Sequence, residues 1–499
     1  MPSQTQENYE AVIGLEIHVQ LKTHSKVFAP VPYLYGGDAT ITDPSAITPN
    51  TLIDPVVLAL PGALPVLNKA ALEQSIRFGL LVGAQIPPMS NWDRKNYFYP
   101  DSPKNYQLSQ KNHPITIGGE VEIELPGPSR NVMGEHKIIH LDHAHLEEDV
   151  GKLTHTGAGS LVDYNRAGAA LLEIVTEPDL RSPDEAVALL NAIRILLVSA
   201  DISDCDMEKG QMRCDANVSI RKRGQLTLNT RTEMKNLNSI SGVKEAIQYE
   251  LGRQIREVEA GREIHQETRG WNSTTGRTYS LRSKEDAHDY RYFPEPDLMP
   301  VVVSEADKAR LAATLPERPY ERQSRYMSQY ALPYTVTSVF VPERPLCEYF
   351  EQATLAYPQN PLGVANLVAN DLLGALAAAG KTLGECPIQP AQLAGLVKLT
   401  DEGTISKKQA KEVFEEMFST QRDPVEIVGE RGLRQSSDTS EIEKIVQDVL
   451  ALPSSAKPIA EFKTGNEKAL NSLKGPVMKA SQGKANPKLL DEILRRLLA

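Results

Sequence analysis

The sequence predicts an α+β fold in which a domain built on a mainly antiparallel sheet precedes an all-α helical domain and a small helical tail domain. Strand-like runs separated by Gly and Pro turns continue to about residue 298, and no strand pattern follows them. A chain of 499 residues is also too long for a single core. We expect domains at 1–298, 299–422 and 423–499.

Alternating apolar residues predict strands, and apolar residues at helical spacing predict helices. In the first domain the predicted strands are 12–21, 115–125, 136–141, 171–176 and 216–221, and the predicted helices are 68–84, 183–199 and 239–260. The helical domain is predicted to contain 304–313, 316–331, 344–356, 363–379, 389–400 and 406–418.

Composition limits the classes of protein that the chain can belong to. The formal net charge is −11, which disfavours general nucleic-acid binding, although residues 461–499 hold eight Lys/Arg against four Asp/Glu. Four widely separated cysteines do not form a thiolate zinc motif or a disulfide framework. With no apolar run of membrane-spanning length and no leader-like N-terminus, we expect a cytoplasmic protein.

The first predicted strand carries polar residues where a buried strand has apolar ones. One face has ordinary core residues, but the other presents Gly14, Glu16, His18 and Gln20. Alternate residues of a strand lie roughly 7 Å apart, so Glu16 and His18 project side by side. They are either a hydrogen-bonded pair or two metal ligands, unless this face is simply a solvent-facing edge.

Four further stretches place acids beside or inside strands: 140–149, 171–179, 204–210 and 213–217. Glu173 lies within an apolar strand, where an unpaired carboxylate would cost several kcal/mol. Several acids and one histidine without thiolates suit a hard cation such as Mg²⁺ or Mn²⁺. An ion-pair network with Arg166, Arg213 and Arg231 is the alternative, and the pattern alone leaves both open.

Basic and aromatic residues alternate at 94–101, and Lys104 and Tyr106 follow. Such a segment suits a nucleotide or the end of a nucleic acid, and equally a surface strand. The sequence has no Walker A loop, no Gly-x-Ser-x-Gly and no His-Glu-x-x-His. Any ATP site must therefore be unconventional, and the chain has no self-contained nucleophile.

Taken together, these motifs resemble one family, the B subunit of the bacterial aspartyl/glutamyl-tRNA amidotransferase (GatB). The resemblance rests on segments 14–21, 60–68, 93–101, 145–149, 172–179, 213–219, 235–239, 289–298 and 477–487. It implies a cradle domain followed by helical and tail domains that grip tRNA, in a heterotrimer with an amidase (GatA) and a small third protein (GatC).

In that family, ammonia from glutamine reaches the GatB protein, which uses ATP and Mg²⁺. GatB phosphorylates the side-chain carboxylate of Glu on tRNA(Gln) or Asp on tRNA(Asn), and ammonia then displaces phosphate. A non-catalytic tRNA-binding scaffold is the alternative, and a metal-dependent nuclease is a third hypothesis.

The resemblance also assigns roles to individual residues. It implies Mg²⁺ ligands and catalytic residues at Glu16, His18, Glu148 and Glu173, and catalytic lysines at Lys95 and Lys104. We further expect nucleotide or cofactor contacts from Arg94, Tyr97, Arg213 and Asp215, and tRNA contacts from Lys474, Lys479, Lys484 and Lys488.

One segment departs from the family pattern. Many relatives carry paired cysteines around positions 29–31 and 54–57 that form a zinc knuckle, whereas this chain has Ala29, Val31, Asp54 and Val57. Without thiolates these positions offer no tetrahedral zinc site, so we expect no zinc.

Overall fold

The computed structural model describes residues 8–34, 46–157, 159–283, 290–433, 439–481, 485 and 487–498. The chain divides into two compact units, residues 1–321 and residues 322–499.

Unit 1 contains the sheet. Its described strands are β1 Tyr9–Gln20, β2 Met89–Ser90, β3 Asp93–Asn96, β4 Tyr106–Ser109, β5 Thr116–Ile117, β6 Glu120–Glu124, β7 His136–Glu148, β8 Lys152–Thr156, β9 Gly159–Asp163, β10 Ala170–Thr176, β11 Met212–Lys222, β12 Thr232–Leu237, β13 Glu267–Asn272, β14 Arg277–Ser283, β15 Phe293–Pro294 and β16 Val301–Val302. Its helices are α1 Lys69–Leu81, α2 Pro183–Ser199, α3 Ile240–Glu259 and α4 Glu305–Ala312.

Nine strands form one sheet in the order β14-β13-β12-β11-β1-β10-β7-β5, with β6 also paired to β7. Every pairing in it is antiparallel except β12 with β13. This sheet with its helices confirms the predicted α+β class. Strand β7 continues to Glu148 and is therefore longer than the predicted 136–141. The predicted strand 115–125 is divided by Gly118 and Gly119, whose positive φ angles of 69° and 112° suit glycine.

One face of the sheet forms the core of unit 1. Ile13, Leu15, Ile17 and Val19 alternate along β1 and are 0–1% exposed, and helices α1, α2 and α3 contribute to the same core. Both long helices begin at serine caps: Ser182 accepts from the Glu185 amide, and Ser239 from the Gly242 amide. Because the helices cover the apolar face, the polar side chains of β1 lie on the other face of the sheet.

Unit 2 is helical in its described part. Helix α5 Pro319–Gln329 spans the boundary, and the others are α6 Tyr334–Phe340, α7 Arg344–Ala356, α8 Pro361–Asn366, α9 Leu373–Ala378, α10 Pro390–Asp401, α11 Lys407–Thr420, α12 Pro424–Glu430, α13 Thr439–Leu450, α14 Ala456–Lys463, α15 Ala469–Ala480 and α16 Pro487–Leu498. A π-helical turn, Leu367–Leu372, joins α8 to α9.

Two separate apolar cores lie in unit 2, one within 326–428 and one within 442–498. Because the two cores are separate, they support the predicted domain boundary near residue 423, which stays a prediction. The segment Pro361–Ala378 is long and apolar enough to be a candidate membrane span. Its residues Val364, Val368, Leu372 and Leu376 nevertheless belong to the first of these cores, as in a core helix.

The segment that departs from the family's zinc knuckle forms a small apolar cluster. Ala29, Val31, Val57 and Ala167 are 3–9% exposed and pack together. Asp54 is engaged locally, because its Oδ1 accepts from the Val57 amide at 2.8 Å. Apolar contacts therefore hold this part of the chain together.

We expect purified, chelator-washed protein to contain no stoichiometric zinc. The side chains at positions 29, 31, 54 and 57 supply at most one metal ligand, Asp54. Elemental analysis of the protein before and after dialysis against EDTA tests this expectation, with unfolding temperature as a second measurement. One zinc per chain, lost together with thermal stability on chelation, would contradict it.

Candidate active site

Strand register brings polar side chains from five strands together on the open face of the sheet. His18 of β1 lies opposite Glu173 of β10, and Glu173 lies opposite His145 of β7. On the other side of β1, Glu16 lies opposite Asp215 of β11, and β12 adds residues next to it. Residues directly opposite each other on neighbouring strands share a face, so these groups converge.

His18, Glu147 and Glu173 form the first group, called here the histidine–carboxylate cluster. Their ligand atoms all lie within 4.8 Å of one another. The Oε2 atom of Glu173 is 3.4 Å from the Nε2 atoms of both His18 and His145. Two carboxylates and one imidazole can supply three ligands to a single cation.

The electrostatics of this cluster are uneven. Burial tends to raise the pKa of Glu173, but the imidazoles of His145 and His18 hold it below its ordinary value. Burial also tends to lower the pKa of His18, and the bond to Glu173 raises it overall. Burial lowers the pKa of His145 to about 4 despite the nearby Glu173 carboxylate, so this imidazole is neutral near pH 7.

Of the three residues in the cluster, Glu147 is the one whose side chain has an unmet hydrogen bond, counted among the described residues. It is 2% exposed, and its buried Oε2 atom has no hydrogen-bond partner among the residues that the structure describes. Burial raises the pKa of Glu147 to about 7. A buried acceptor without a partner costs roughly 1–3 kcal/mol, more if it is charged, and a bound cation would remove that cost. Hard oxygen and imidazole ligands fit Mg²⁺ or Mn²⁺.

Lys95 supplies a positive charge at the edge of the cluster. Its Nζ atom is 3.9 Å from Glu147 Oε2 and 5.2 Å from the ring centre of Tyr290. Burial lowers the pKa of this lysine, but Glu147 more than compensates and raises it overall. Lys95 therefore stays protonated, where it can contact an anionic ligand of a bound cation.

The second group, called here the Lys235 cluster, consists of Glu16, Asp215, Glu233 and Lys235. The three carboxylates have oxygens within 4.8 Å of one another. The Nζ atom of Lys235 is 2.6 Å from Asp215 and 2.9 Å from Glu233. A cation bound here would have to displace an ammonium group that already bonds directly to two acids, whereas Lys95 lies 3.9 Å from Glu147 of the histidine–carboxylate cluster. The histidine–carboxylate cluster is therefore the better cation site.

Glu16 is the member of the Lys235 cluster that shares strand β1 with His18. Its Oε1 atom accepts from Asn217 at 2.9 Å. Burial, and then the charge of Glu173, raise the pKa of Glu16. It has no cationic partner within ion-pair distance among the described residues, so its carboxylate remains available to a ligand bound beside His18.

Comparison with known proteins identifies the family of the chain. The sequence profile of the GatB/GatE catalytic domain matches residues 11–308, and that of the GatB domain matches residues 348–498. An Opitutus terrae protein, the B subunit of aspartyl/glutamyl-tRNA(Asn/Gln) amidotransferase, is 56% identical over 494 residues, which is 99% of each chain. A Carboxydothermus hydrogenoformans protein of the same name is 47% identical and covers 98% of this chain, with 99% of its own length matched.

The chain belongs to the GatB family.

Within this GatB-family site, Glu148 is placed away from the other predicted metal ligands. The structure brings His18 and Glu173 together and puts Glu16 beside them, but the third member of the cluster is Glu147. The carboxylate of Glu148 contacts Lys104 and accepts from the Leu108 amide at 2.9 Å. Adjacent residues of a strand point to opposite faces, so Glu147 and Glu148 cannot both enter the cluster.

The predicted nucleotide-binding residues are largely engaged with protein partners. Arg94 pairs with Glu295 at 2.6 Å and Asp297 at 3.0 Å, and its guanidinium lies 4.5 Å from the ring centre of Tyr106. Burial raises the pKa of Tyr97 to about 12, so this phenol is a neutral hydrogen-bonding group.

Two further predicted residues from β11 are also paired. Arg213 donates to Asp149 at 2.8 Å, which also accepts from Gln20 at 2.8 Å, and Asp215 belongs to the Lys235 cluster. They border the open face and orient its acids. Their contact with a nucleotide stays a prediction.

Of the four predicted tRNA-binding lysines, only Lys479 has an exposed side chain and no ion-pair partner in the described part of the chain. Lys474 is paired with Asp491 at 2.6 Å. Lys484 and the side chain of Lys488 lie outside the described part of the structure.

Several residues of the site were missed from the sequence: His145, Glu147, Asn217, Glu233 and Lys235. Glu147 and His145 lie in the predicted acidic segment 140–149, and a longer β7 would have shown which of them share a face. Glu233 and Lys235 alternate along β12, which was not predicted as a strand. The Glu-x-Lys alternation at Glu233 and Lys235, like that of Glu16 and His18, could have indicated a strand with one polar face.

We expect Glu147→Gln to weaken Mn²⁺ binding at least tenfold, because it removes a buried anionic oxygen from the cation site. Its neighbour supplies the comparison, since Glu148→Gln changes the same chemical group on the opposite face of the strand and should weaken binding less. Calorimetric or electron-paramagnetic titration with Mn²⁺ measures both. Weaker binding in the Glu148 variant alone would restore the original ligand assignment.

Proposed function

We propose that this chain is the catalytic GatB component of a glutamine-dependent tRNA amidotransferase, a carbon–nitrogen ligase. It would act on Glu-tRNA(Gln), Asp-tRNA(Asn) or both, and convert them into Gln-tRNA(Gln) and Asn-tRNA(Asn). The observation that carries the proposal is the buried Glu147 oxygen of the histidine–carboxylate cluster, which has no hydrogen-bond partner among the described residues and lies 3.9 Å from Lys95, in a chain of which 99% matches a relative of this family.

The reaction needs activation because a side-chain carboxylate is anionic and has no good leaving group. A carboxylate oxygen of the aminoacyl group attacks the γ-phosphorus of ATP, the bond to the bridging oxygen breaks, and ADP leaves. Ammonia then attacks the carbonyl carbon of the acyl phosphate. The C–O bond to phosphate breaks, one ammonia proton goes to the departing phosphate, and the amide remains.

Phosphoryl transfer is catalysed mainly by positioning and charge neutralisation, and the open face offers both. His18, Glu147 and Glu173 would hold Mg²⁺, which supplies charge neutralisation to the transferring phosphoryl group when bound. Lys95, held protonated by Glu147, would pair with a phosphate oxygen. Glu16 lies beside this position and would orient the ligand or complete the cation site.

The chain carries no amidase motif, so the ammonia must come from elsewhere. The amidase GatA with the small protein GatC is the partner set we propose, in a cytoplasmic heterotrimer. Glutamine hydrolysis in the amidase and carboxylate activation in this chain would then be separable half-reactions. Free ammonia should replace glutamine if the division is correct.

A non-catalytic tRNA-binding scaffold remains the second candidate function. It is favoured by the ion pairs that already neutralise part of the open face, such as those of Lys235 with Asp215 and Glu233. A scaffold would use these acids for folding alone. The distinction lies in whether the unpaired acids are needed for chemistry.

The first experiment uses the chain purified with its GatA and GatC partners. We expect ATP-dependent conversion of Glu-tRNA(Gln) with Mg²⁺ and either glutamine or ammonia. Glu16→Gln should reduce the ammonia-dependent rate at least a hundredfold, because a carboxylate beside the cation position is lost, while tRNA affinity is retained. Quantification of Gln-tRNA and of ADP from the same reactions measures both half-steps.

Glu263→Gln is the control for that experiment, since Glu263 is exposed and lies on a loop outside the site. An unchanged rate in the Glu16 variant would assign the acids to folding and favour the scaffold. Loss of tRNA binding together with activity would point to misfolding, which the unfolding temperature checks.

We expect Lys479→Glu to weaken tRNA binding and to reduce the slope of log affinity against log salt by ~1 or more, as for the loss of one phosphate contact. Lys152→Glu in unit 1 makes the same change in net charge at another exposed position. Filter binding at several salt concentrations compares the two. Equal slopes for the wild type and the Lys479 variant would leave this lysine as solvated surface.

A further inference from the structure

The helix that runs from Pro361 to Ala378 contains a widened turn. Val364, Val368, Leu372 and Leu376 are 0–3% exposed and are each four residues apart. An α-helix has 3.6 residues per turn, so a repeat of four drifts around its axis. The π-helical turn at Leu367–Leu372 has more residues per turn and keeps all four side chains in the core.

A cavity, called here the π-turn cavity, is lined by residues of this turn. It has a volume of about 420 Å³, which is within the range of small-molecule sites. Leu367 of the turn and Leu396 and Val397 of α10 are among its apolar lining residues. Lys407 and Lys411, one turn apart on α11, line it as well.

Asn360 donates to Asp401 at 2.7 Å in this cavity, but five other polar lining residues have no protein partner in the described part of the chain. Asn366, Asn370 and Asp371 come from the π-turn region, and their side chains make no hydrogen bond or ion pair in the part of the chain that the structure describes. The same holds for Lys407 and Lys411. Amide, carboxylate and ammonium groups therefore converge around an apolar lining without neutralising one another through direct contacts.

We propose that the π-turn cavity binds one unstacked nucleotide of the RNA substrate. The planar base would lie against the leucine and valine side chains, as flipped bases do in apolar pockets. The Asn370 amide can donate hydrogen bonds to the polar edge of the base and accept them from it, and the Asp371 carboxylate can accept them. Lys407 and Lys411 would contact its phosphates.

The lining favours a nucleotide over a protein segment. Hot-spot pockets for proteins take aromatic or aliphatic anchors, whereas this cavity combines two lysines and two carboxylates, Asp371 and Asp401, with amide groups. A nucleotide offers an apolar face, a polar edge and an anion in one unit. The inference rests on the proposed function, because it takes tRNA as the substrate.

The test measures tRNA affinity of the heterotrimer across a range of salt concentrations. Ala410→Phe places a ring in the cavity without changing charge, because Ala410 lines it. We expect this variant to bind tRNA roughly tenfold more weakly with an unchanged salt slope, since base contacts release no counterions. The double variant Lys407→Gln/Lys411→Gln should reduce the slope by ~2.

Lys408→Gln is the matched control, because Lys408 is an exposed neighbour on the same helix that does not line the cavity. It should leave affinity and slope close to the wild type. Asn370→Ala gives a second, conservative variant at an exposed helical position, in case the phenylalanine disturbs folding. Photocrosslinking with 4-thiouridine-substituted tRNA should label peptides within 362–371 or 396–411.

The outcomes separate this inference from the proposed function. Wild-type affinity in both the Ala410 and Asn370 variants, with no crosslink in these peptides, would overturn the nucleotide site and leave transamidation intact. Weaker co-purification of GatA and GatC with unchanged tRNA affinity would overturn it in favour of a protein-binding cavity. A wild-type heterotrimer that neither binds nor converts charged tRNA would instead refute the proposed function.

Discussion

The antiparallel register of β1 with β10 and β11 is the constraint on which the rest of unit 1 depends. It places Ile17 in the core and His18 opposite Glu173 on the open face. Because side chains alternate, a slip of one residue would turn Ile17 outward and carry Glu16 and His18 into the core. Burying those polar groups without partners would cost several kcal/mol, so the hydrophobic core and the candidate site stabilise the same register.

Ion pairs with lysine and arginine then determine which acids of the open face remain free to bind a ligand. Lys235 bonds to both Asp215 and Glu233, and Arg213 bonds to Asp149. Around His18, Glu173 contacts two imidazoles, and the Oε2 atom of Glu147 has no hydrogen-bond partner among the described residues. An ammonium group therefore already lies between two acids of the Lys235 cluster, whereas a cation and an anionic ligand could bind at the histidine–carboxylate cluster without displacing one.

Local pattern was enough to predict the sheet-then-helix order, the two faces of β1 and polar side chains at Glu16, His18 and Glu173. The other features of the site depend on contacts between residues that are far apart in the sequence. The choice between Glu147 and Glu148 depends on how β7 pairs with β10, and Arg94 is committed to Glu295, which lies 201 residues away along the chain. In unit 2 the helix at 363–379 was predictable, but its widened turn follows from packing of Val364 and Leu372 into one core.

The adjacent residues Glu147 and Glu148 lie on opposite faces of one strand, and they have different roles. On one side Glu148 contacts Lys104, and its oxygens and carbonyl accept from Leu108 and Gln107, which joins the end of β7 to β4. On the other side Glu147 enters the cluster with little freedom to move, because the backbone it shares with Glu148 is fixed. A rigid ligand needs no reorganisation when a cation binds. The second acid of the pair therefore contributes to the site by fixing the position of the first.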